Sequence, residues 1–366
     1  MSLSIGIVGL PNVGKSTVFN ALTGAQQAMV ANYPFCTIEP NRAIVPLRDA
    51  RLDQLQSLAG VPNRIYATID CVDIAGLVKG ASQGEGLGNQ FLSHVRNTDA
   101  LIHVVRGFDD PNVVHVHGTV DPRQDIEIIN IELALADMGQ IERKLVKLES
   151  DIKANRKLLP LFDLAQSLQA HLGEGKPVGT HPDRESEIFK ALVDEMRFLT
   201  AKPIIFAVNV DETGLAEDTP ETRIVRAVAA EQGAEVVVLC ARLEEEMVAM
   251  SAEEQQEFLE LAGASESGLE QVVRKGFKAL GLISYFTKNK KEVRAWHIPI
   301  GTRAPQAAGV IHTDFERGFI RAEVIPFETY AEKGSDAAVR SAGLLRSEGK
   351  EYIVQDGDVI LFRFNV

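Results

Sequence analysis

The sequence predicts an α/β protein with a mostly parallel sheet, helices on both faces, an inserted helical arm and a carboxyl-terminal α+β module. Three observations support this fold class. Short apolar segments alternate with helical patterns on either side of a stretch at 130–200 that has heptad spacing. Strand-like segments and turn residues return from residue 281 onward. We therefore expect a first domain at 1–280, interrupted by an insertion at 130–200, and a second domain at 281–366.

The parallel sheet is predicted from five apolar segments. They are Ser4–Val8, Thr68–Ile74, Leu101–Val105, Ile204–Val208 and Val236–Leu239. Strands that are separated by helices in the sequence usually run parallel, with helices on both faces. The first helix is predicted to begin at Lys15, directly after a glycine-containing loop.

The insertion is predicted to be two helices packed against each other in antiparallel directions. Its apolar residues follow heptad spacing and are Met138, Ile141, Leu145, Leu148 and Ile152, then Leu161, Ala165, Leu168 and Leu172 after Pro160. The residues expected on the solvent side are Arg143, Lys144, Lys147, Lys153, Arg156 and Lys157. Two interpretations remain: a helical insertion with a solvated charged face, or an arm that contacts a partner.

The carboxyl-terminal module contains several predicted strands. Val293–Ile298 has strand character, and the segments at 352–355 and 359–364 flank Asp356-Gly357-Asp358. A short turn of this composition between two apolar segments predicts a β-hairpin.

Composition excludes several classes of protein. The 366 residues carry a formal net charge of −13, which gives no general indication of nucleic-acid binding, although a local basic face could supply it. Cys36, Cys71 and Cys240 form no short pairing motif, so we expect neither a disulfide framework nor a zinc site. The first residues have no basic region before an apolar run, and no run approaches a membrane span, so a cytoplasmic location is predicted.

The strongest motif is Gly9-Leu-Pro-Asn-Val-Gly14-Lys15-Ser16, which fits the P-loop pattern between a strand and a helix. Such a loop surrounds phosphate oxygens with main-chain N–H groups at a helix N-terminus. Lys15 is predicted to reach the β- and γ-phosphates, and the Ser16 hydroxyl to hold Mg²⁺. The nucleotide-binding residues predicted from this segment are Asn12, Val13, Gly14, Lys15, Ser16 and Thr17.

Three further residues are predicted to complete the phosphate and metal site. Asp73 ends an apolar strand in the pattern Asp-x-x-Gly and is expected to act at Mg²⁺, while the Gly76 N–H turns toward the γ-phosphate. Thr37 lies between Pro34 and Pro40 and is the candidate switch threonine for Mg²⁺. The predicted metal residues are thus Ser16, Thr37 and Asp73. A plain loop threonine and a surface turn are the alternatives for Thr37 and Asp73.

The catalytic group that orients the attacking water is less clear from the residues. Many GTPases have glutamine after Asp-x-x-Gly, but this chain has Leu77, which neither donates nor accepts a hydrogen bond. His115 and His117 follow the third predicted strand, and a histidine there could orient water or be structural. Slow unaided hydrolysis is expected.

The segment that would contact the base is Asn209-Val210-Asp211-Glu212. GTPases usually have Asn-Lys-x-Asp here, whose aspartate accepts from the guanine N1–H and N2–H₂ groups. Val210 and Glu212 replace the lysine and the aspartate, so the residues weaken the case for GTP.

These motifs, in this order, resemble those of the YchF family of Obg-like ATPases. The resemblance runs nearly end to end. It includes Gly-Leu-Pro-Asn-Val-Gly-Lys-Ser-Thr, Pro-Phe-Cys-Thr-Ile-Glu-Pro-Asn, Asp-Ile-Ala-Gly-Leu-Val-Lys-Gly-Ala, Gly-Leu-Gly-Asn-Gln-Phe, Glu-Val-Arg-Ala-Trp and Ala-Pro-Gln-Ala-Ala-Gly. Cys240-Ala241-Arg242 is a variant of the usual Ser-Ala-Lys.

The resemblance implies a TRAFAC-class G domain, a β-grasp-like TGS domain and Mg²⁺-dependent ATP hydrolysis in preference to GTP. It implies that Leu77 replaces the usual glutamine and that His115 serves hydrolysis, which makes the catalytic set Lys15, Thr37, Gly76 and His115. It further implies association with the ribosome. We expect a monomer that binds the large subunit or the whole ribosome and binds neither membrane nor DNA. The TGS domain and the helical arm would make this contact, as part of a switch in translation or the stress response. The basic residues expected to take part are Lys288, Lys290, Lys291, Arg294, Arg317 and Arg321.

Three alternatives remain. A P-loop alone also suits a metabolic phosphotransferase, although no second substrate pocket or arginine-rich lid is evident. A nucleotide-regulated scaffold with incidental turnover is the second alternative, and a GTP-preferring GTPase of the Obg group is the third.

Overall fold

The structure, a computed structural model, describes residues 3–29, 41–74, 87–114, 120–261, 264 and 266–365. The chain divides into two compact units. The bounds of the first unit are Met1–Ala28, Thr37–Ala43 and Asp70–Gly276. Those of the second are Met29–Cys36, Ile44–Ile69 and Phe277–Val366.

The strands of the described residues are β1 (Ser4–Val8), β2 (Arg42–Leu47), β3 (Asn63–Ile65), β4 (Ala67–Asp73), β5 (Ala100–Arg106), β6 (Ile204–Asn209), β7 (Glu235–Leu239), β8 (Leu282–Lys288), β9 (Glu292–Pro299), β10 (Phe319–Pro326), β11 (Arg346–Glu348) and β12 (Asp358–Phe364). The helices are α1 (Lys15–Met29), α2 (Ala50–Ala59), α3 (Leu87–Arg96), α4 (Pro122–Ala154), α5 (Leu159–Gly173), α6 (Glu187–Met196), α7 (Glu212–Ala216), α8 (Pro220–Gln232), α9 (Ala241–Met247), α10 (Ala252–Leu261), α11 (Gly268–Ala279), α12 (Ala304–Ile311), α13 (Thr313–Arg317), α14 (Phe327–Lys333) and α15 (Asp336–Ser341).

One sheet has the strand order β2-β4-β1-β5-β6-β7. The β1 strand pairs in parallel with β4 and β5, and β6 pairs in parallel with β5 and β7. The predicted α/β fold class is confirmed. The first predicted strand matches β1 at both ends, and the other four differ from the observed strands by one residue at one or both ends. The carboxyl ends of these parallel strands meet at one edge, where such sheets usually bind ligands.

The strand β2 was not predicted from the sequence. It lies at the edge of the sheet, is only half-buried in alternate positions and contains Pro46. A proline is tolerated at an edge because one side of such a strand has no ladder partner.

The helical arm is built from α4, α5 and α6. The α4 helix begins earlier than predicted, after Asp121, whose side chain accepts a hydrogen bond from the Gln124 N–H. Pro160 lies in the first turn of α5. Proline is tolerated there because N–H groups of the first turn form no hydrogen bond within the helix. Six of the predicted heptad residues pack in one buried cluster, to which α6 adds Phe189 and Leu192: Ile141, Leu145, Leu148, Ala165, Leu168 and Leu172. Met138 and Leu161 are partly buried against this cluster, whereas Ile152 is not part of it.

The basic side of the arm differs from the prediction at one position. Lys144 was expected to be solvated, but its Nζ donates to Glu195 Oε1 of α6 at 2.6 Å and its side chain is 14% exposed. Arg143, Lys147 and Lys153 are exposed, as expected. The two helices are antiparallel, since a Cβ on Gly173 at the end of α5 would lie 3.7 Å from Met138 in α4.

The second sheet has the order β11-β10-β12-β8-β9-β3. It includes β3, which lies within residues 1–280, the range predicted to form the first domain. The β3 strand pairs in parallel with β9, and Leu52 and Leu55 of α2 share a buried cluster with Phe286 and Val293. Burial of these leucines against the second sheet explains why residues 44–69 cluster with the second unit.

The predicted hairpin at 356–358 is wrong. The β12 strand pairs with β10 and β8 instead, and the segment before it makes only an isolated bridge between Ile353 and Arg303. Asp356 accepts hydrogen bonds from the Ser284 N–H and from Arg51, so its carboxylate joins β8 to α2 instead of closing a tight turn. Among the described residues, no helix is long and apolar enough to cross a membrane.

Candidate nucleotide-binding site

The phosphate loop follows β1 and leads into α1. The Val18 N–H donates to the Gly14 carbonyl oxygen at 3.0 Å, which sets the first turn of the helix. Gly14 has φ +97°, and a Cβ there would lie 2.2 Å from the Asn209 amide nitrogen. A side chain is therefore excluded at Gly14 both by conformation and by space.

Lys15 is folded back into this loop. Its Nζ donates to the Leu10 carbonyl oxygen at 2.6 Å, and the residue is buried. Burial lowers the pKa of the Lys15 ammonium to about 8, and the nearby Asp73 carboxylate opposes that shift. Among the described residues, the hydrogen bond that holds the Lys15 ammonium inside the loop is the one to the Leu10 carbonyl oxygen.

Asp73 ends β4 and has an unsatisfied oxygen. Its Oδ1 atom is buried and has no hydrogen-bond partner among the described residues. Burial raises the pKa of the Asp73 carboxyl, while Lys15 opposes the shift. A buried carboxylate oxygen without a donor is suited to a cation or its water shell. Ser16 is exposed in the first turn of α1, so the residues present fit Mg²⁺.

Asn209 connects two loops at the edge of the sheet. Its Nδ2 donates to the Val13 carbonyl oxygen at 3.0 Å, and its Oδ1 accepts from the Ala241 N–H at 2.9 Å. The side chain is buried. The main role of Asn209 in the described structure is therefore to hold the phosphate loop against the loop after β7.

Glu212 begins α7 and pairs with Arg242. Its Oε1 accepts from Arg242 at 2.5 Å, and Arg242 also lies 3.4 Å from Glu246. Asp211 caps α7 by accepting from the Gly214 N–H at 2.9 Å. A hydrogen bond from Thr213 is the main reason that the pKa of the Asp211 carboxyl is lowered.

Val210 points into the core. It is 2% exposed, and its side chain closely approaches Gly107 and Gly214. Val210 is among the residues that line the cavity, and it also belongs to the buried cluster that contains Val208 and Val225. The isopropyl group thus belongs to the core of the first unit.

A cavity of about 600 Å³, a size that suits a small molecule, lies beside the phosphate loop and the segment 209–212. It is lined by Asn12, Gly14, Thr17, Phe108, Asp109, Asp110, Pro111, Val113, Asn209, Val210, Asp211, Glu212, Thr213, Cys240, Ala241 and Arg242. Asn12 has φ +62° and donates from Nδ2 to the Val114 carbonyl oxygen at 3.1 Å. The phosphate loop is thus joined on one side to the loop after β5 and on the other to Asn209.

The structure brings the predicted phosphate loop and the segment 209–212 together at one cavity. Asp73 interacts electrostatically with Lys15 of this loop. Several residues named in the sequence analysis lie outside the described residues: Cys36, Thr37, Gly76, Leu77, His115 and His117. Their predicted roles stay predictions.

Sequence reasoning missed the cavity wall formed by residues 108–113 and the ion pair of Glu212 with Arg242. The composition Phe-Asp-Asp-Pro-Asn directly after a strand is a signal for an ordered turn, and a charged Arg106 at the end of that strand is a second one. The ion pair joins positions that are far apart in the sequence and has no local signal.

Two family models match the chain. Residues 4–148 match one described as a 50S ribosome-binding GTPase. Residues 282–365 match YchF-GTPase_C, described as a protein of unknown function (DUF933).

Relatives match over the whole chain. A Bacillus subtilis (strain 168) protein named ribosome-binding ATPase YchF is 48% identical over 369 residues, with 100% of both chains covered. Obg-like ATPase 1 of Homo sapiens is 45% identical, with 100% of this chain and 93% of that protein covered. The solved YchF GTPase of Schizosaccharomyces pombe has a TM-score of 0.88 at 37% identity, covering 99% of this chain and 98% of that one. Fold and site thus define a P-loop nucleotide-binding protein of the G-domain class. The chain belongs to the YchF family.

Proposed function

We propose that this chain is a Mg²⁺-dependent ATPase that binds ribosomes and acts as a nucleotide-dependent switch in translation or the stress response. The observation that carries the proposal is a phosphate loop joined by Asn209 to a nucleoside-sized cavity. The relatives named ribosome-binding ATPase YchF support the same activity for this chain.

The phosphate chemistry follows from the loop and its lysine. Main-chain N–H groups at the start of α1 bind the phosphates, and Lys15 moves from the Leu10 carbonyl oxygen to the β- and γ-phosphate oxygens. Ser16 and Asp73 hold the metal, with Thr37 as the proposed third residue. Mg²⁺, when bound, neutralises charge on the transferred phosphoryl group.

Turnover without a partner is proposed to be slow. Leu77 cannot orient the attacking water, and His115 is the residue proposed to do so, with Gly76 donating its N–H to the γ-phosphate. His115→Ala is expected to slow hydrolysis while leaving ATP affinity nearly unchanged. His117→Ala, two positions away, is the matched control. An equal loss of rate and affinity in His115→Ala would make that histidine structural.

The preference for ATP is supported by the ion pair at the cavity. Guanine offers N1–H and N2–H₂ donors that require a free, well-placed carboxylate. The Glu212 carboxylate is longer than an aspartate and is engaged by Arg242. Both side chains are more than half exposed, so this pair contributes only about 0–1 kcal/mol, and the expected preference is several-fold.

Ribosome binding is proposed to use basic residues of the second unit and of the helical arm. Lys290, Lys291 and Arg317 are exposed, and no ion pair holds them within the part of the chain that the structure describes. The same proposal includes contact with the large subunit or the whole ribosome. It also includes a monomeric state, a cytoplasmic location and no binding to membrane or DNA. The net charge of −13 favours a local basic contact with RNA over general binding to nucleic acid.

Single-turnover hydrolysis of ATP with and without ribosomes tests this function. We expect a rate below about 1 s⁻¹ for the chain alone and a faster rate with ribosomes. Hydrolysis that ribosomes leave unchanged, combined with ribosome binding that ignores the nucleotide, would favour the scaffold alternative. Tighter binding of GTP than ATP would favour a GTPase, the word used for the Schizosaccharomyces pombe relative.

A further inference from the structure

Arg106, at the end of β5, carries a buried charge that the proposed chemistry does not use. The residue is 1% exposed, and its partner in the register of the sheet is Asn209. An arginine side chain remains protonated in proteins and needs acceptors for its N–H groups when it is buried. Among the described residues, no carboxylate forms an ion pair with Arg106.

The acceptors of Arg106 are main-chain carbonyl oxygens of a single loop. Its Nε donates to Phe108 at 3.1 Å, its Nη1 to Val113 at 2.9 Å and its Nη2 to Asp110 at 3.3 Å. The guanidinium also lies 4.5 Å from the centre of the Phe108 ring, within the range of a cation–π contact. The planar guanidinium therefore holds three carbonyl oxygens of residues 108–113 in place.

Within the part of the chain that the structure describes, this loop has few other hydrogen bonds to the rest of the protein. The cavity of about 600 Å³ lies against Phe108, Asp109, Asp110, Pro111 and Val113, and a second cavity of about 710 Å³ lies against the same five residues. The other described hydrogen bonds within residues 108–113 are local, such as Asn112 N–H to Asp110 Oδ1 at 2.8 Å, and the bond from Asn12 to the Val114 carbonyl oxygen holds only the residue that follows. A segment with open space on two sides has few packing contacts and a low free energy of local opening.

We propose that Arg106 is a positioning residue that fixes the wall of the nucleoside cavity formed by residues 108–113. It acts through these carbonyl oxygens and does not touch the phosphates. The inference rests on the proposed function, in which this cavity takes the nucleoside of ATP. Loss of Arg106 releases the wall and weakens nucleoside binding, while the phosphate loop keeps its own contacts.

The test compares two probes, MgATP and magnesium tripolyphosphate, by isothermal titration of the full chain. For Arg106→Met, which keeps the bulk but removes the donors, we expect ATP to bind about tenfold or more weakly, a difference that titration resolves. Tripolyphosphate, which lacks the nucleoside, is expected to bind within about twofold of the unmodified chain.

The matched control is Lys202→Met. The Lys202 ammonium is also satisfied by main-chain carbonyl oxygens, those of Arg96 and Thr98, but it does not line either cavity. The Lys202→Met substitution is expected to lower thermal stability without changing the ratio of ATP affinity to tripolyphosphate affinity. Arg106→Lys keeps the charge but not the planar fork, so its ratio should fall between those of Arg106→Met and the unmodified chain.

Each outcome decides the inference. An unchanged ratio in Arg106→Met, or equal losses for both probes, overturns it. Where Arg106→Met does not fold, Arg106→Lys decides in the same way, since an unchanged ratio overturns the inference and a lowered one supports it. Failure of the unmodified chain to bind ATP more tightly than tripolyphosphate would instead overturn the proposed nucleoside site itself.

Discussion

The Asn209 side-chain amide donates to the Val13 carbonyl oxygen at 3.0 Å, which ties the end of β6 to the phosphate loop across 196 positions of sequence. The same side chain accepts from the Ala241 N–H at 2.9 Å. One buried amide thus joins the phosphate loop to the loop after β7.

Asn209→Ala should lower both stability and nucleotide affinity. It leaves the Val13 carbonyl and the Ala241 N–H without a partner in a buried place, where each unsatisfied group costs about 1–3 kcal/mol. Asn209→Asp keeps an acceptor for Ala241 but faces Val13 with a carboxylate oxygen, so it should chiefly disturb the phosphate loop. Urea unfolding and ATP titration measure the two effects. Unchanged ATP affinity in both variants would contradict this role.

Lys15→Ala and Ser16→Ala should each reduce hydrolysis at least about 100-fold. Neutralisation of charge on the β- and γ-phosphates supplies most of the catalysis in phosphoryl transfer. Lys275→Ala is a control, because its Nζ donates to the Val236 carbonyl oxygen and the residue does not line the cavity. Steady-state phosphate release provides the rate. Near-normal turnover in Lys15→Ala would mean that the loop is not the active site.

ATP should bind several-fold more tightly than GTP, and the ion pair of Glu212 should contribute to this. Replacing Val210 by lysine is a poor test, because the site is 2% exposed and would bury an ammonium group. Glu212→Asp combined with Arg242→Lys shortens the carboxylate and loosens its partner, so the preference should move toward GTP. Glu246→Asp alters only the weaker contact of Arg242 and is the control. Isothermal titration of both nucleotides measures the ratio of ATP affinity to GTP affinity. An unchanged ratio in the double variant would refute a contribution of the Glu212 ion pair.

Ribosome association should weaken with salt and depend on exposed lysines of the second unit. Lys288 pairs with Asp336, and Arg321 contacts Glu323, so these two predicted residues are already engaged. Lys290→Glu with Lys291→Glu should lower affinity and reduce the slope of log affinity against log salt by about 0.7–0.9 per lost phosphate contact. Lys288→Gln is the control with the smaller expected effect. Co-sedimentation indifferent to salt would exclude this contact.

Stability should fall as pH rises toward neutrality because of Glu244. Burial raises the pKa of this carboxyl to about 7, although its Oε1 accepts from the Gly268 N–H at 2.6 Å. A carboxyl with a raised pKa binds more protons in the folded state, so unfolding free energy decreases between the ordinary value of 4.5 and about 7.

The full decrease is on the order of 3 kcal/mol, and Glu244→Gln should remove it. Denaturant unfolding at several pH values measures the difference. The neighbouring exposed residue provides the control, Glu245→Gln, which should keep the pH dependence of the unmodified chain. If unfolding free energy decreases with pH as steeply in Glu244→Gln as in the unmodified chain, another group is responsible for the decrease.

The sequence by itself determined the class of this protein. A P-loop is a contiguous motif whose backbone shape depends on glycines and a following helix, so Gly14, Lys15 and Ser16 could be assigned without a structure. Strand and helix periodicity is likewise local, which is why the parallel sheet and all the heptad residues of the arm except Ile152 were predicted correctly. The hairpin at 356–358 failed because Asp356 forms long-range hydrogen bonds that outweigh a local turn preference.

Only the tertiary structure decided how the site is assembled. The strand order places β1 between β4 and β5, with β6 beyond β5, so loops distant in sequence meet at one edge of the sheet. That arrangement engages Asn209 with Val13 and directs Val210 into the core. It also buries Arg106 beneath a loop whose neighbours are cavities. Such contacts depend on side chains that strand pairing and burial bring together. Local periodicity does not indicate which distant residue will be the partner.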